Sequence, residues 1–151
     1  MGLINMASGN SVWRGLDYCK EKKVNNCKKT NECEYQGVVN GSNDNKYNVF
    51  INIEHPRKSK CDCPHAKDTR IICKHMIALY FTAFPKEVDI FLKENEEAEK
   101  EYEKYEEELE EKMIKYVNSM SKSELQQTVL ELLYDGPEWQ YDRFIRDKIG
   151  Y

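Results

Sequence analysis

The amino-acid sequence predicts an α+β fold: a small antiparallel β-sheet closed by a helix, then a long acidic helix and a C-terminal helical hairpin. Three observations lead to this prediction. Apolar and polar residues alternate in stretches between residues 24 and 63, which is typical of strands. An apolar run at residues 76–81 follows and is typical of a buried helix. Good helix formers, mostly Glu and Lys, then fill residues 96–112.

The strand pattern is clearest over residues 46–54. One face of this predicted strand carries four apolar side chains, Tyr47, Val49, Ile51 and Ile53. Weaker alternation precedes it over residues 24–39, and the Asn- and Gly-rich residues 40–45 predict a turn between the two regions. A short strand at residues 59–63 completes an antiparallel sheet of three or four strands.

The residues before the sheet divide into a tail and a helix. Residues 1–11 contain Gly, Ser and Asn and predict a flexible N-terminal tail. Residues 12–22 predict a short helix, in which we interpret Trp13 as a core residue rather than a ligand-stacking one.

Two short residue pairs contain side chains that bind metals. Cys61 and Cys63 are separated by one residue, and Cys73 and His75 follow with the same spacing. Three thiolates and one imidazole form a complete tetrahedral ligand set for zinc, which prefers them to oxygen ligands. In an extended chain, residues i and i+2 project to the same side, so the first pair fits a strand end. His65 is the alternative to His75 as the fourth ligand.

The second pair is expected in the entry turn of the helix at about residues 73–83. Side chains at i and i+2 diverge within a helix, so Cys73 should precede its first turn. The unpaired amides of that turn would favour a thiolate at Cys73.

Both pairs, with their neighbours, resemble the SWIM zinc finger. Residues 61–64 and 73–79 are similar to the family's sequence around the ligands, and residues 14–18 and 47–53 resemble its lead-in. The resemblance covers roughly residues 12–84. It implies a strand-rich unit closed by a helix, with zinc as the cofactor. It also implies a DNA-binding or protein-interaction module, often attached to remodelling-type ATPases, transposases or ubiquitin ligases.

The family spacing favours His75 over His65 as the fourth zinc ligand. The domain organisation then becomes a tail at residues 1–11, a SWIM-type finger at residues 12–84 and an acidic helical region at residues 85–151.

A structural rather than a catalytic role is expected for the metal. Catalytic zinc keeps an open coordination position, whereas four protein ligands leave none. Without His75 the three cysteines and a water would resemble a deaminase site, but the His-x-Glu element of that chemistry is missing. The sequence therefore predicts that the chain is not an enzyme.

The net charge of −4 is unevenly distributed. Residues 1–84 have a net charge of about +5, and residues 85–151 have about −9. We predict phosphate-directed nucleic-acid binding with little sequence choice. The candidate basic residues flank the ligand loop: Arg57, Lys58, Lys60, Lys67, Arg70 and Lys74. The alternative is a protein-interaction module or adaptor that acts through the acidic tail and binds no nucleic acid.

The predicted helix at residues 86–119 carries a narrow apolar stripe: Tyr102, Tyr105, Leu109, Met113 and Tyr116. Two interpretations stay open. The stripe could pack on the C-terminal helices of the same chain, or it could form a homodimer or bind another protein. Those helices follow a capping-box pattern, Ser121 with Glu124, and are separated at residues 135–137 by Asp-Gly-Pro.

The remaining cysteines are Cys19, Cys27 and Cys33. Their spacing matches no chelating pair, so we interpret them as free thiols, with a second metal site or a redox sensor as the alternative. No signal-peptide pattern begins the sequence, and no apolar stretch approaches the roughly 20 residues that span a bilayer. We therefore expect a cytoplasmic protein without a membrane segment.

Overall fold

The computed structural model describes residues 2–42 and 45–150 and divides the chain into two compact units at Asn95 and Glu96. The predicted α+β class with an antiparallel sheet is confirmed. The elements, in chain order, are α1 (Leu3–Met6), α2 (Gly9–Lys20), β1 (Val24–Asn31), β2 (Glu34–Asn40), β3 (Lys46–Asn52), β4 (Lys60–Cys61), α3 (Lys74–Ala83), α4 (Pro85–Ser119), α5 (Lys122–Asp135) and α6 (Glu138–Phe144). A 3-10 turn (Pro56–Lys58) precedes β4, and a π-helical turn (Ile145–Ile149) follows α6.

The sheet is an antiparallel meander in the order β1-β2-β3-β4. Its inner face carries Val39, Val49 and Ile51, which are buried because α3 covers them. The alternation predicted for residues 46–54 therefore marks the buried face correctly. The backbone amide of Gly41 bonds to the Asn45 carbonyl at 2.7 Å. Positions 43 and 44 of the predicted turn lie outside the described residues.

Helix α3 packs between α2 and the sheet. Its side chains Ile77, Leu79 and Phe81 are fully buried, and so is Ala78. A helix covered on two sides buries apolar residues around most of its circumference. This explains why residues 76–81 form a continuous apolar run without an amphipathic period.

The N-terminal residues differ from the predicted flexible tail. Residues 3–6 form α1, and Leu3 is 1% exposed within the core. Helix α2 begins at Gly9, and its N-cap is Ser8, whose hydroxyl accepts from the Ser11 amide at 3.2 Å. Trp13 also differs from its prediction as a core residue, since 45% of it is exposed.

The first unit extends past residue 84 because the start of α4 packs on the core. Val88, Phe91 and Leu92 are partly buried there. The ring of Phe91 lies 5.1 Å from Trp13, edge to face, and 5.8 Å from Phe81. The first turns of α4 thus belong to this first unit, which ends at Asn95. We call it the finger unit below.

The second unit contains the rest of α4 together with α5 and α6. The predicted capping box is present: the Ser121 hydroxyl accepts from the Glu124 amide, and the Glu124 carboxylate accepts from the Ser121 amide. All five residues of the α4 stripe are more than half exposed, from 52% at Leu109 to 67% at Tyr116. Neither α5 nor α6 buries this stripe. Within the described residues the stripe is therefore an exposed face and not an internal packing face.

Across residues 2–42 and 45–150, no helix combines the length and the apolar character that a membrane crossing requires.

Candidate metal centre

Four side chains from two segments meet beneath the sheet. The ligand atoms of Cys61, Cys63, Cys73 and His75 all lie within 4.8 Å of one another. His75 Nδ1 is 3.8 Å from Cys61 Sγ and 4.0 Å from Cys73 Sγ. All four side chains are at most 5% exposed. The structure thus brings the four predicted ligands into one buried cluster.

The local backbone places each ligand for a distinct reason. Cys61 ends β4 and pairs with Val49, so its side chain points to the inner face of the sheet. A turn begins immediately afterwards, because the amides of Ala66 and Lys67 bond to the Cys63 carbonyl. Cys73 is the N-cap residue of α3, in extended conformation, as the i and i+2 argument predicts.

The donor set fits zinc in both chemistry and spacing. With Zn–S of about 2.3 Å and Zn–N of about 2.0 Å, a tetrahedral site places its ligand atoms roughly 3.5–3.8 Å apart. The distances of 3.8 Å and 4.0 Å from His75 Nδ1 to the two sulfurs are close to this geometry. Thiolate and imidazole together favour zinc over magnesium or calcium. His65 is exposed and lies outside the cluster.

Two tyrosines that sequence reasoning missed surround the His75 ring. The Tyr47 ring stacks on the imidazole at 4.6 Å with an interplanar angle of 29°, and Tyr18 lies 5.5 Å away. These contacts hold Nδ1 towards the sulfurs. His75 Nε2 is buried without a hydrogen-bond partner among the described residues. The strand alternation placed Tyr47 on the inner face but did not indicate what it touches.

Lys74, which lies between Cys73 and His75 in the sequence, contacts Tyr18 of α2. Its Nζ donates to the Tyr18 hydroxyl at 2.8 Å, and the Lys23 ammonium lies 4.3 Å from the centre of the same ring. Burial raises the pKa of Tyr18, but hydrogen bonds from Lys74 and Ser42 and both lysine charges together hold that pKa below its usual value. The Lys74 ammonium is therefore already engaged within the fold.

The three thiols of the cluster differ in pKa, which is raised at Cys61 and Cys63 and lowered at Cys73. The hydrogen bond between Cys61 and Cys73 raises the pKa of Cys61 and lowers that of Cys73 to about 4. Burial raises the pKa of Cys63. The amides of Met76 and His75 also stabilise the Cys73 thiolate, as expected beside a helix N-terminus. Cys73 is thus prepared as a ligand, whereas Cys61 and Cys63 must lose protons when a metal binds.

Zinc retention is therefore expected to depend on pH. Protons compete for Cys61 and Cys63, whose pKa values are raised, so affinity should fall as pH falls. Acid titration of zinc-loaded protein with a colorimetric zinc indicator should show release that takes up more than one proton per ion. Zinc retention that is constant from neutral to strongly acidic pH would contradict this. Cys27→Ser, which alters an exposed thiol outside the cluster, should give the same profile.

A comparison with known families identifies the finger. Residues 47–84 match the family model of the SWIM zinc finger. This segment is therefore similar to the SWIM zinc finger, and we refer to it as the SWIM finger. The match begins at Tyr47, which stacks on the imidazole, and includes all four cluster residues. The match and the cluster together support zinc as the cofactor, so the predicted family and cofactor are confirmed. No curated protein and no solved structure matches the chain significantly.

The basic residues predicted to meet nucleic acid are spread over the SWIM finger. Arg57 and Lys58 lie in the 3-10 turn, Lys60 lies on β4, and Lys67 and Arg70 lie in the loop between the ligand pairs. These five are exposed, whereas Lys74 is bound to Tyr18. Their contact with nucleic acid stays a prediction.

The other three cysteines do not join the cluster. Cys19, Cys27 and Cys33 are free thiols, and Cys27 is exposed. Among the described residues, one group of Cys, His, Asp or Glu side chains has the spacing of a metal site, and it is the group in the SWIM finger.

Proposed function

We propose that this chain is a non-catalytic module in which zinc fixes a basic finger that binds nucleic acid through its phosphates. Support for this proposal comes from the distribution of charge. Residues 1–84 carry a net charge of about +5, although the chain as a whole carries −4. When lysines and arginines neutralise phosphates, counterions condensed on the nucleic acid are released. This release favours binding without sequence preference.

Two of the exposed basic side chains lie close to the zinc ligands in the chain. Lys60 directly precedes Cys61, and Lys67 follows the turn at Cys63. Zinc binding to the neighbouring cysteines would therefore hold these lysines in place. In this account zinc supplies a fixed surface and takes no part in a reaction.

Binding should be strongly salt-dependent. In fluorescence anisotropy titrations of the zinc-loaded protein with labelled DNA at low salt, we expect saturable binding that weakens linearly in log salt concentration. Lys60→Ala or Lys67→Ala should each weaken binding and reduce the salt slope by about 1.

Lys100→Ala is the matched control, because this lysine lies in the acidic part of α4 and is paired with Glu96 at 2.6 Å. It should leave the affinity unchanged. Absence of binding to duplex and single-stranded DNA and RNA at low salt would contradict the proposed function.

The exposed α4 stripe supports a second candidate function, protein interaction through the acidic helical tail. Three tyrosines of the stripe are each at least 60% exposed: Tyr102, Tyr105 and Tyr116. The helix that carries them has no basic residue in its last turn. Exposed apolar side chains at three- and four-residue spacing are typical of helix–helix interfaces. Light scattering tests the homodimer version, in which a dimeric mass should change to a monomeric one after Leu109→Glu.

A further inference from the structure

The outer face of the sheet carries a row of four side chains, of which the proposed function uses only Lys60. Strand register places Lys28 opposite Gln36, Gln36 opposite Phe50, and Phe50 opposite Lys60. Directly paired residues of neighbouring antiparallel strands project to the same face. The four side chains therefore form one line across all four strands, on the face away from α3.

A β-bulge brings Lys28 into this row. The pairing shifts between Asn25 and Lys28, so one extra residue of β1 is accommodated there. An inserted residue reverses which side chains face outward beyond it. As a result Lys28 shares the outer face with Gln36, whereas its neighbour Lys29 pairs with Tyr35 on the inner face.

Phe50 is an aromatic ring with no role in the core. It is partly exposed, and it is absent from the side chains that pack on the hydrophobic core. It lines a groove of about 670 Å³ together with Lys28, Lys60, Lys67 and the loop residues Ala66 and Thr69. A volume of this size is within the usual range of roughly 300–1,000 Å³ for ligand pockets.

The charges of the groove favour an anionic ligand. Lys28, Lys60 and Lys67 are exposed there, against the carboxylates of Asp62 and Asp68. Both oxygens of Asp62 are engaged, because they accept from the backbone amide and the side-chain amide of Asn48, each at 2.9 Å. Asp62 keeps its negative charge, so it opposes an anion together with Asp68, but the three lysines outnumber the two carboxylates at this site.

The geometry points to a site for single-stranded nucleic acid on this outer face, with a base stacked on Phe50 and the phosphates on Lys28, Lys60 and Lys67. This inference rests on the proposed function and specifies its ligand. A sheet surface with a solvent-accessible ring between basic side chains binds single strands by stacking, which tolerates any base. A duplex cannot use the ring, since its bases are stacked on one another. The side-chain amide of Gln36, beside Phe50, is available to a base edge.

The test uses the zinc-loaded full chain and three fluorescein-labelled probes of equal length: oligothymidylate, oligouridylate and a DNA duplex. Phe50→Ala should weaken single-strand binding roughly tenfold, as expected for the loss of one stacked base. Phe50→Trp should restore it, because the aromatic plane returns. Neither variant should change the affinity for the duplex. The two single-stranded probes distinguish DNA from RNA as the preferred ligand.

Two further variants separate the groove from general charge. Lys28→Ala and Lys29→Ala remove the same charge from neighbouring residues on opposite faces. Only Lys28→Ala should weaken single-strand binding. Asp68→Asn should strengthen it, and Asn tolerates the left-handed backbone at this position, where φ is 58°. Thermal melting and zinc content of each variant exclude unfolding as the cause.

Three results are distinguishable. Loss on Phe50→Ala with recovery on Phe50→Trp, for single strands alone, supports the site. Equal effects of Lys28→Ala and Lys29→Ala, with Phe50→Ala unchanged, would overturn it while leaving the proposed function standing. Absence of binding to every probe at low salt would overturn both.

Discussion

Replacement of Cys63 or Cys73 by Ser is expected to abolish the cooperative folding of residues 24–84. Both side chains are at most 2% exposed inside the cluster, and a hydroxyl is a poor zinc ligand. Structural zinc contributes about 10–16 kcal/mol of apparent binding free energy in zinc-finger peptides at neutral pH. The whole stability of a domain is only about 5–15 kcal/mol, so the sheet should not survive loss of the metal.

Circular dichroism during heating provides the measurement for these variants. The wild type should unfold in a cooperative transition, and Cys63→Ser and Cys73→Ser should lose the strand signal and the zinc. Cys27→Ser is the matched control, since it makes the same chemical change at an exposed position outside the cluster. If Cys63→Ser melted at the wild-type temperature, zinc would have no structural role.

Substitution of Gly15 by Ala should strongly destabilise the contact between α2 and α3. A Cβ at this position would lie 2.6 Å from the Cβ and Cγ2 atoms of Ile77 and 2.8 Å from the Lys74 carbonyl oxygen. The β-branched side chain of Ile77 is fully buried and has no room to move. Overpacking of this kind costs about 1–3 kcal/mol, more than the roughly 1 kcal/mol that Ala gains in helix propensity.

The same substitution should also weaken zinc binding, because the clash lies beside the first turn of α3, which carries His75. Chemical denaturation and a competitive zinc titration measure the two effects. Gly9→Ala is the control in the same helix, since nothing lies within 4 Å of its Cβ position. The free energy of unfolding should fall for Gly15→Ala and stay unchanged or rise slightly for Gly9→Ala. Equal behaviour of the two variants would contradict the packing described for α2 and α3.

Local chemistry made the metal cluster predictable from the sequence. The ligands occur as two close pairs, and the i and i+2 rule fixes which backbone can hold each pair. The Ser121 cap was equally local, because both of its hydrogen bonds join residues three positions apart. The strand at residues 46–54 could be predicted because only one of its faces packs on α3.

The features that the sequence did not predict depend on distant contacts. The burial of Leu3 follows from the packing of α1 on the core, and no pattern of Gly, Ser and Asn indicates this. The outward direction of Lys28 follows from the bulge in β1, which breaks the alternation on which strand prediction relies. The stacking of Tyr47 on His75 joins residues 28 positions apart, so only the folded chain reveals it.

Pro85 shows how one residue type permits two structures. Proline lacks an amide hydrogen, so it interrupts a helix that precedes it. It does end α3, but it is also the first residue of α4, a position at which proline needs no hydrogen-bond acceptor. The finger unit therefore continues into α4 as far as Asn95.

Zinc titration of the metal-free protein tests the central claim most directly. Chelator-treated protein should lack cooperative melting of the finger, and zinc should restore it with an end point at one ion per chain. The affinity for labelled nucleic acid should also be restored once one zinc ion per chain has been added. A metal-free chain that melts cooperatively at the temperature of the zinc-loaded form would contradict the account.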